Sequence, residues 1–528
     1  MRREHTGRTI NRRQVLGASA AVVVASGMGP VPARWAAAWQ DEAGEPVTGG
    51  TLTIGQDFGP QTLDPTLTIA WASTNIEELL YTGLLRWSPA MELEPDLATG
   101  YEMPDDITYV FTLREGVTFH NGAPFSAEDV KYTFDRILDP ATASPHASIY
   151  QPIGAVEVVD PLTVQFSLTE PFAPFLRYLA TIPYGAIVPA GAGDELQTAP
   201  VGTGPFQFIE HQLDQAVRLE RFDGYYEDGL PYLDAVTFQL LGDDTSIAAA
   251  IQSGTVNMTW LKNPIIAQAT AEATQGLTSF PGVSSRYLPI RFKLTEPPFD
   301  DVRVRRALSL ALDRQALADT VLGGYGAVGT FLPPSQIAGY TGDGSDLPYY
   351  TRDVEQARAL LAEAGHERLS IPEFKIVAAN QLDVQCAQLM QAQWAEAGID
   401  VQINPMEVGA ILDDWTNGNY QMAVVGGVWT PDPNQEVQPM YSRSTMGQGQ
   451  GINDPELDAL IEEGVATVDE AARIAIYQQI QQLVLDQVYV IVPYVYPLRW
   501  ELIYDQIQGY EVMPSNARTT VRQTWLAS

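Results

Sequence analysis

The alternation of apolar and polar residues predicts strands throughout the first half of the chain. Leu52 and Ile54 alternate with threonines in GGTLTIGQD, and the same period of two recurs in TYVFTLR, LTVQFSL, AVRLERF and AVTFQLL. Such a period is typical of strands with one buried face. One helix is clear in this half, because SAEDVKYTFDRILDP carries Ser126 and Asp129 at capping-box spacing. The first half is therefore predicted to be strand-rich.

In the second half the pattern changes to helices that alternate with strands. DDVRVRRALSLALDR predicts a helix behind a capping Asp301, and DVEQARALLAEAG predicts another from Asp353 to Gly365. Strand FKIVAA, a helix over 383–397, strand IDVQI, a helix over 408–417 and strand YQMAVVGGV follow. This order predicts parallel strands joined by right-handed crossovers.

The run YQMAVVGGVWTPDPNQE changes abruptly from apolar residues to a tryptophan followed by turn residues. In open parallel sheets, ligands bind beyond the carboxyl ends of strands, and Trp429, Thr430 and Asp432 directly follow such an end. Trp429 is interpreted as a ligand wall or as a lid over the sheet. Asp432 is interpreted as a ligand carboxylate or as a residue that holds the turn, and both roles stay open.

The chain has 528 residues, more than one hydrophobic core usually supports, so two or three domains are expected. Its formal net charge is −35, and because the first 38 residues hold six Arg and one Glu, the rest of the chain carries −40. A surface this acidic repels nucleic-acid phosphates and anionic lipid headgroups, so neither is expected as a partner. The charge indicates a solvated acidic surface or recognition of a cationic ligand.

Few residues suit catalysis or metal binding. The single cysteine, Cys386, lies in a predicted helix and is interpreted as a core residue, while the five histidines show neither HExxH nor paired spacing. The glycines of VGTGPFQF precede a strand, so no nucleotide cradle is predicted. We expect no cofactor, no metal and no enzyme activity. The alternative is a secreted hydrolase of oligosaccharides or peptides that uses a carboxylate pair.

The N-terminus predicts export. Arg12 and Arg13 stand before an apolar run over 15–28 that is too short to span a bilayer comfortably. This arrangement resembles a twin-arginine signal, and residues 1–38 are assigned to a signal peptide, with retention as an anchor left open. No cysteine follows the run, so no lipid anchor is expected. The predicted location is the periplasm or the outer face of the cytoplasmic membrane.

Several ordered segments resemble the peptide/nickel class of extracellular solute-binding proteins, family 5, over roughly residues 49–515. They include GGTLTIGQDFGPQTLDP, YVFTLREGVTFHNGAPFSAEDVKYTFDRILDP, VGTGPFQF, PPFDDVRVRRALSLALDR and WTPDPN. The resemblance implies an α/β periplasmic-binding-protein fold of type II, with hinge strands between two lobes. It implies lobe I at 39–290, an extra subdomain at about 90–200, lobe II at 291–496 and a return to lobe I at 497–528.

The same resemblance implies a monomeric solute-binding component of an ABC importer, which delivers its solute to a permease and its ATPase subunits. The expected solute is small and peptide-like, or another oligomeric or amphipathic molecule. A sensory or chaperone-like binding protein without a permease is a further possibility. In peptide-binding relatives, an aspartate after the tryptophan of the last block pairs with the ligand's α-amino group, but the block is shorter here. The expected ligand-binding residues are Phe58, Trp260, Trp429, Thr430, Asp432 and Tyr496.

Overall fold

A computed structural model gives the fold of most of the chain. It describes residues 45–282, 285–332, 339, 342–426, 432–442, 450–497, 499–513, 515 and 517–527. The predicted signal peptide at 1–38 lies outside the described residues. The helices of the described residues are Trp71–Leu80, Ala127–Leu138, Ala147–Tyr150, Phe175–Leu179, Asp244–Gln252, Pro264–Ala273, Val302–Leu310, Arg314–Leu322, Val354–Glu363, Gln381–Glu396, Val408–Asn417, Asn434–Tyr441, Pro455–Ala466 and Glu470–Asp486, with 3₁₀ turns at Asp194–Gln197 and Thr519–Gln523.

A seven-stranded sheet organises the part of the protein that we call lobe I. Strand Thr51–Gln56 lies in its middle and is parallel to both neighbours, while the remaining pairs are antiparallel. Leu52 and Ile54 are fully buried, which confirms the predicted alternation. The order of strands is Leu277–Pro281, Trp500–Tyr504, Met258–Leu261, Thr51–Gln56, Ala235–Leu240, Ala216–Arg221 and Phe206–Gln212.

A four-stranded antiparallel sheet and the helix Ala127–Leu138 form a separate apolar core, which we call the subdomain. The Ser126 side chain accepts from the Glu128 amide and Asp129 accepts from the Ser126 amide, so the predicted capping box is confirmed. The order of strands is Ala98–Asp105, Thr108–Leu113, Thr163–Leu168 and Ile153–Asp160.

A five-stranded sheet organises the part that we call lobe II. Three of its strands come from the segment in which the sequence predicts alternating helices and strands. Leu369–Val377 is parallel to Ile399–Met406 and to Met422–Val424, as expected from crossover connections. Cys386 is fully buried on the helix Gln381–Glu396, as predicted. The order of strands is Ile399–Met406, Leu369–Val377, Met422–Val424, Ile290–Phe292 and Val490–Ile491.

The chain passes between the two large sheets at two places, and the two crossing segments pair with each other. Strand Ser285–Tyr287 runs antiparallel to Val495–Pro497, with Arg286 opposite Tyr496. We call this pair the hinge ribbon. The remaining strands are Leu85–Trp87 with Leu93–Pro95, and Ile507–Gln508 with Trp525–Leu526.

Local signals of helix start and end behave as the sequence predicts. Asp301 and Asp353 accept hydrogen bonds from first-turn amides of Val302–Leu310 and Val354–Glu363, and Gly365 has a φ of +89° just beyond the second helix. The protein is thus a mixed α/β protein, which confirms the predicted fold class.

Candidate functional site

A cavity of about 1810 Å³ lies between the two lobes. Its lining residues come from lobe I, the subdomain, the hinge ribbon and lobe II, so no single part builds it alone. Small-molecule pockets usually measure roughly 300–1,000 Å³. The volume of this cavity therefore exceeds the upper end of that range, and the cavity can hold a solute that is large for a small-molecule pocket.

The lobe I wall of the cavity presents large apolar side chains to solvent. Phe58, Ile69 and Trp71 all line it, and they are 62%, 61% and 38% exposed. Phe58 stands just after the strand Thr51–Gln56, where the end of the sheet opens into the cavity. Apolar side chains that are exposed together in this way are typical of a ligand-binding or interaction surface.

A buried arginine stacks on the indole ring of Trp71. The Arg499 guanidinium lies 3.9 Å from the ring centroid of Trp71 and 4.8 Å from that of Trp260. Burial, and then the nearby Arg518, lowers the pKa of Arg499 to about 9. Trp260 lines the cavity as predicted, yet it is only 2% exposed. These contacts fix the orientation of the Trp71 indole, whose ring borders the cavity.

The same wall holds a carboxyl group that titrates near neutral pH. Glu78 is buried and lines the cavity, and it accepts a hydrogen bond from the Arg518 amide at 2.6 Å. Burial raises the pKa of Glu78 to about 7, against the opposing effects of that hydrogen bond and of the guanidinium groups of Arg499 and Arg518.

The hinge ribbon places a guanidinium at the cavity. Arg286 donates through Nη1 to the Tyr496 hydroxyl at 2.8 Å and through Nη2 to Asp383 Oδ2 at 2.9 Å. Its side chain is 22% exposed, and both Arg286 and Tyr496 line the cavity. A guanidinium has five N–H donors, and within the described residues these contacts use two of them. Arg286 is therefore held in place with donors left for a ligand.

The lobe II wall is formed in part by the first turn of the helix Asn434–Tyr441. Glu436 lines the cavity, and its Oε1 accepts from the Tyr287 hydroxyl and from Arg291 Nη2. Arg291 is fully buried on strand Ile290–Phe292 and also donates Nε to the Val425 carbonyl at 2.9 Å. The strand thus fixes the position of the carboxylate.

Asp432 lies behind the wall and not on it. It is fully buried and absent from the residues that line the cavity. Its oxygens accept from Arg473 Nη1 at 2.5 Å and Nη2 at 2.7 Å, and Oδ1 also accepts from the Asn434 amide at 2.9 Å.

The subdomain reaches lobe II beside the cavity. Arg177 Nη2 lies 3.4 Å from Glu470 Oε2, and Arg177 Nε lies 3.7 Å from Asp432 Oδ2. Phe172 and Tyr178, from the same subdomain segment, line the cavity. Asp432 therefore faces one arginine from its own lobe and one from the subdomain.

Three of the six predicted site residues line the cavity, namely Phe58, Trp260 and Tyr496. Trp429 and Thr430 lie outside the described residues. The sequence missed Arg286, Glu436 and Arg499 as site residues. Glu436 ends the run YQMAVVGGVWTPDPNQE, whose pattern pointed to Trp429, Thr430 and Asp432 instead. The proximity of Arg286 to the YVYP segment depends on strand pairing across 210 residues, which no local pattern indicates.

Neither a metal site nor a membrane helix is found in the described part of the chain. Across those residues, no group of three or more His, Cys, Asp or Glu side chains is arranged to hold a metal ion. Among the described helices, none combines the length and the apolar character that crossing a bilayer requires.

Comparison with known proteins identifies related chains over most of the sequence. The model of the family described as bacterial extracellular solute-binding proteins, family 5 Middle, matches residues 92–448. The dipeptide-binding protein of Escherichia coli (strain K12) is 30% identical over 503 residues, which cover 88% of this chain and 92% of that protein. The glutathione-binding protein GsiB of the same strain is 30% identical over 451 residues, covering 82% and 86%.

A solved structure shows the same fold. The ABC transporter substrate-binding protein CtaP from Listeria monocytogenes has a TM-score of 0.80 and 25% sequence identity, over 91% of this chain and 100% of that one. Its architecture matches the sheets and helices described above.

Proposed function

This chain belongs to family 5 of the bacterial extracellular solute-binding proteins, and from that premise we propose that it closes around an amino-acid-derived solute. Proteins of this family work outside the cytoplasm and deliver a solute to the permease and ATPase subunits of an ABC importer. They are binding proteins and not enzymes. The chain is therefore the solute-binding component of an importer, and the family relationship supports this function over a secreted hydrolase.

The observation that carries the proposal is the cavity between the lobes. Its lining combines residues from both large sheets and from the ribbon that joins them. A ligand in this position contacts both lobes, so it favours a closed arrangement by the difference between its affinities for the closed and open forms. We propose that two units move relative to each other. The first is the predicted lobe I, residues 39–290 together with the return segment 497–528, and the second is the predicted lobe II, residues 291–496.

The proposed solute is peptide-like and carries a carboxylate. The relatives named above bind dipeptides and glutathione. The cavity is lined by aromatic side chains that can contact apolar groups, and by the partly exposed Arg286. A guanidinium binds a carboxylate through paired N–H donors. We assign Arg286 to the ligand's carboxylate, with Phe58 and Trp71 as apolar contacts.

We propose roles for further predicted site residues as well. Trp429 and Thr430 are proposed as part of the lobe II wall, and Trp260 as the support beneath the Trp71 and Arg499 stack. Asp432 is assigned to holding the turn through Arg473. We also propose export through the Arg12–Arg13 signal and a monomeric protein without a lipid anchor.

Calorimetric titration tests the proposal. Purified protein is titrated with a panel of dipeptides, tripeptides, glutathione and maltose. The bound solute is then released by denaturation, and its mass is measured by mass spectrometry. We expect one-to-one binding of at least one amino-acid-derived solute, recovered unchanged, and a tenfold or greater loss of affinity for it in Arg286→Gln. The exposed Arg218, which pairs with Glu220 outside the cavity, supplies the control Arg218→Gln. A solute recovered in altered form, or binding of maltose alone, contradicts the proposal.

A further inference from the structure

The subdomain and lobe II meet beside the cavity through charged side chains. Arg177, on the helix Phe175–Leu179 of the subdomain, lies 3.7 Å through Nε from Asp432 Oδ2 and 3.4 Å through Nη2 from Glu470 Oε2. Both carboxylates belong to lobe II. Among the described residues, Arg177 is absent from the cavity lining. It therefore joins two parts of the protein without reaching a solute in the cavity.

The subdomain is firmly attached to lobe I. The chain leaves lobe I after the helix Trp71–Leu80 and returns to it at the strand Phe206–Gln212. Arg136 of the subdomain also donates to Asp64 Oδ1 at 3.0 Å and to Oδ2 at 2.6 Å, and the Asp64 side chain is fully buried. Breaking such a pair leaves a buried charge without its partner. The subdomain and lobe I are therefore expected to move as one unit.

The contact of Arg177 with lobe II has a different construction, which allows it to open. Within lobe II, Arg473 donates to both oxygens of Asp432, so this buried carboxylate keeps a counter-charge when Arg177 moves away. The Glu470 side chain is 65% exposed, so water solvates it in either arrangement. Opening this contact therefore leaves no buried charge unpaired, in contrast to opening the pair of Arg136 with Asp64.

The subdomain itself holds Arg177 in position for this contact. The Arg177 guanidinium lies 5.5 Å from the ring centroid of Trp87, and Trp87 Nε1 donates to Thr181 Oγ1 at 2.8 Å. The Thr181 hydroxyl in turn donates to the Arg177 carbonyl at 2.8 Å. These contacts do not depend on lobe II. Arg177 therefore loses little conformational freedom when lobe II approaches it.

We propose that Arg177 is a positioning residue that stabilises the closed arrangement by pairing with Asp432 and Glu470. The inference rests on the proposed binding function, because a contact made only between closed halves adds to solute affinity through the closed form. The gain is the same for every solute, since Arg177 touches none of them. Coupling of this kind changes affinity by roughly 5–150-fold, and for one partly buried arginine we expect about tenfold.

The first experiment needs no solute. Ala173 and Val465 stand at the same contact, where the Ala173 amide donates to the Val465 carbonyl at 2.8 Å. Protein with Ala173→Cys and Val465→Cys is refolded free of solute and equilibrated in 2-mercaptoethanol redox buffers. The fraction of disulfide gives the effective concentration of the two thiols. Adding Arg177→Gln is expected to lower this concentration about threefold or more, because the closed arrangement is populated less.

Two further variants accompany Arg177→Gln in the same cysteine background. Glu470→Gln removes the exposed partner from the lobe II side and is expected to lower the effective concentration by less than Arg177→Gln does, because exposed pairs contribute little. Arg218→Gln is the matched control, since Arg218 is exposed and pairs with Glu220 outside the cavity, and it should change nothing. Thermal melts establish that each variant is folded.

The second experiment measures affinity with the calorimetric panel of dipeptides, tripeptides and glutathione. Arg177→Gln is expected to weaken the binding of every solute that the wild type binds by the same factor, about tenfold. The loss in Arg286→Gln should instead depend on the solute, and it should be smaller for C-terminally amidated dipeptides than for free ones. This comparison separates a residue that positions the lobes from one that contacts the solute.

The outcomes separate the two proposals. An effective thiol concentration in folded Arg177→Gln equal to that in Arg218→Gln overturns the role of Arg177 and leaves solute binding intact. An affinity loss confined to some solutes also overturns it, because it makes Arg177 a solute contact. A lowered effective concentration in a protein that binds none of the panel supports the role of Arg177 and overturns the proposed peptide-like solute.

Discussion

The amide of Ala173 donates to the carbonyl of Val465 at 2.8 Å and so joins the subdomain to lobe II. Val465 also packs against the apolar core of the subdomain. Together with the Arg177 contacts to Asp432 and Glu470, this bond forms a second connection between the two halves besides the hinge ribbon. The structure therefore describes an arrangement in which the halves meet beside the cavity.

A cysteine pair at this contact is expected to cross-link. Two backbones joined by an N–H···O bond are near enough for a disulfide, which needs Cα atoms within about 7 Å. Ala173→Cys with Val465→Cys should form an intramolecular disulfide under mild oxidation, measured on non-reducing gels and by peptide mapping. The native Cys386 is fully buried and does not compete.

The control pair combines Ala173→Cys with Leu412→Cys, since Leu412 is 49% exposed on lobe II and lies on the helix Val408–Asn417, whereas Val465 lies on the helix Pro455–Ala466. It should not cross-link within the monomer. Equal yields from the two pairs would show that the contact has no special proximity in solution.

Asp432→Asn is expected to lower the free energy of unfolding by about 3 kcal/mol, because it leaves Arg473 buried without its counter-charge. Urea unfolding measures the change. Asp486→Asn is the control, since the pair of Asp486 with Arg306 is partly exposed and should contribute less than about 1 kcal/mol. Unchanged stability combined with lost solute binding would instead make Asp432 a ligand contact.

Phe58→Ala is expected to weaken solute binding by about 1–3 kcal/mol and to change stability by less than about 0.5 kcal/mol. Phe58 is 62% exposed, so its removal leaves the core intact while it takes apolar area from the cavity wall. Leu213→Ala is the control, because Leu213 is 74% exposed and lies outside the cavity. Calorimetry measures affinity and thermal melts measure stability. Equal affinities for both variants would remove Phe58 from the site.

Glu78→Gln is expected to flatten the pH dependence of stability between about pH 4.5 and 7. Burial raises the pKa of Glu78 from 4.5 to about 7 in the folded protein, so the folded protein keeps a proton that the unfolded chain releases in this range. The stabilisation is complete below pH 4.5 and is lost as the pH rises through 7. A shift of this size corresponds to at most ~3 kcal/mol.

Urea unfolding at both ends of this range tests the prediction. Relative to wild type, the free energy of unfolding of Glu78→Gln should increase from the acidic to the neutral end. A difference that is constant with pH would contradict a raised pKa at Glu78.

Sequence patterns predicted those elements whose signals are local. The capping box of Ser126 and Asp129, and the alternation of Leu52 and Ile54, depend on neighbours within a few residues. The fold class and the parallel order of lobe II follow from such elements in sequence.

The site depends on contacts between distant segments, which the local pattern does not contain. Arg518 donates its amide to Glu78 across 440 residues, and Arg499 donates to Asn75 across 424. Asp432 illustrates what a local pattern cannot predict. An Asp-Pro turn has the same sequence whether its carboxylate faces a ligand or accepts from an arginine, as Asp432 accepts from Arg473. Tertiary packing decides between the two.

The central claim is that two halves joined by the hinge ribbon close around a solute. Solution X-ray scattering tests it most directly, on protein that has been unfolded, dialysed to remove solute and refolded, before and after addition of a solute shown to bind by calorimetry. We predict that the radius of gyration falls on binding and that the Ala173→Cys/Val465→Cys pair then cross-links faster. Identical scattering profiles with and without a bound solute would contradict the account.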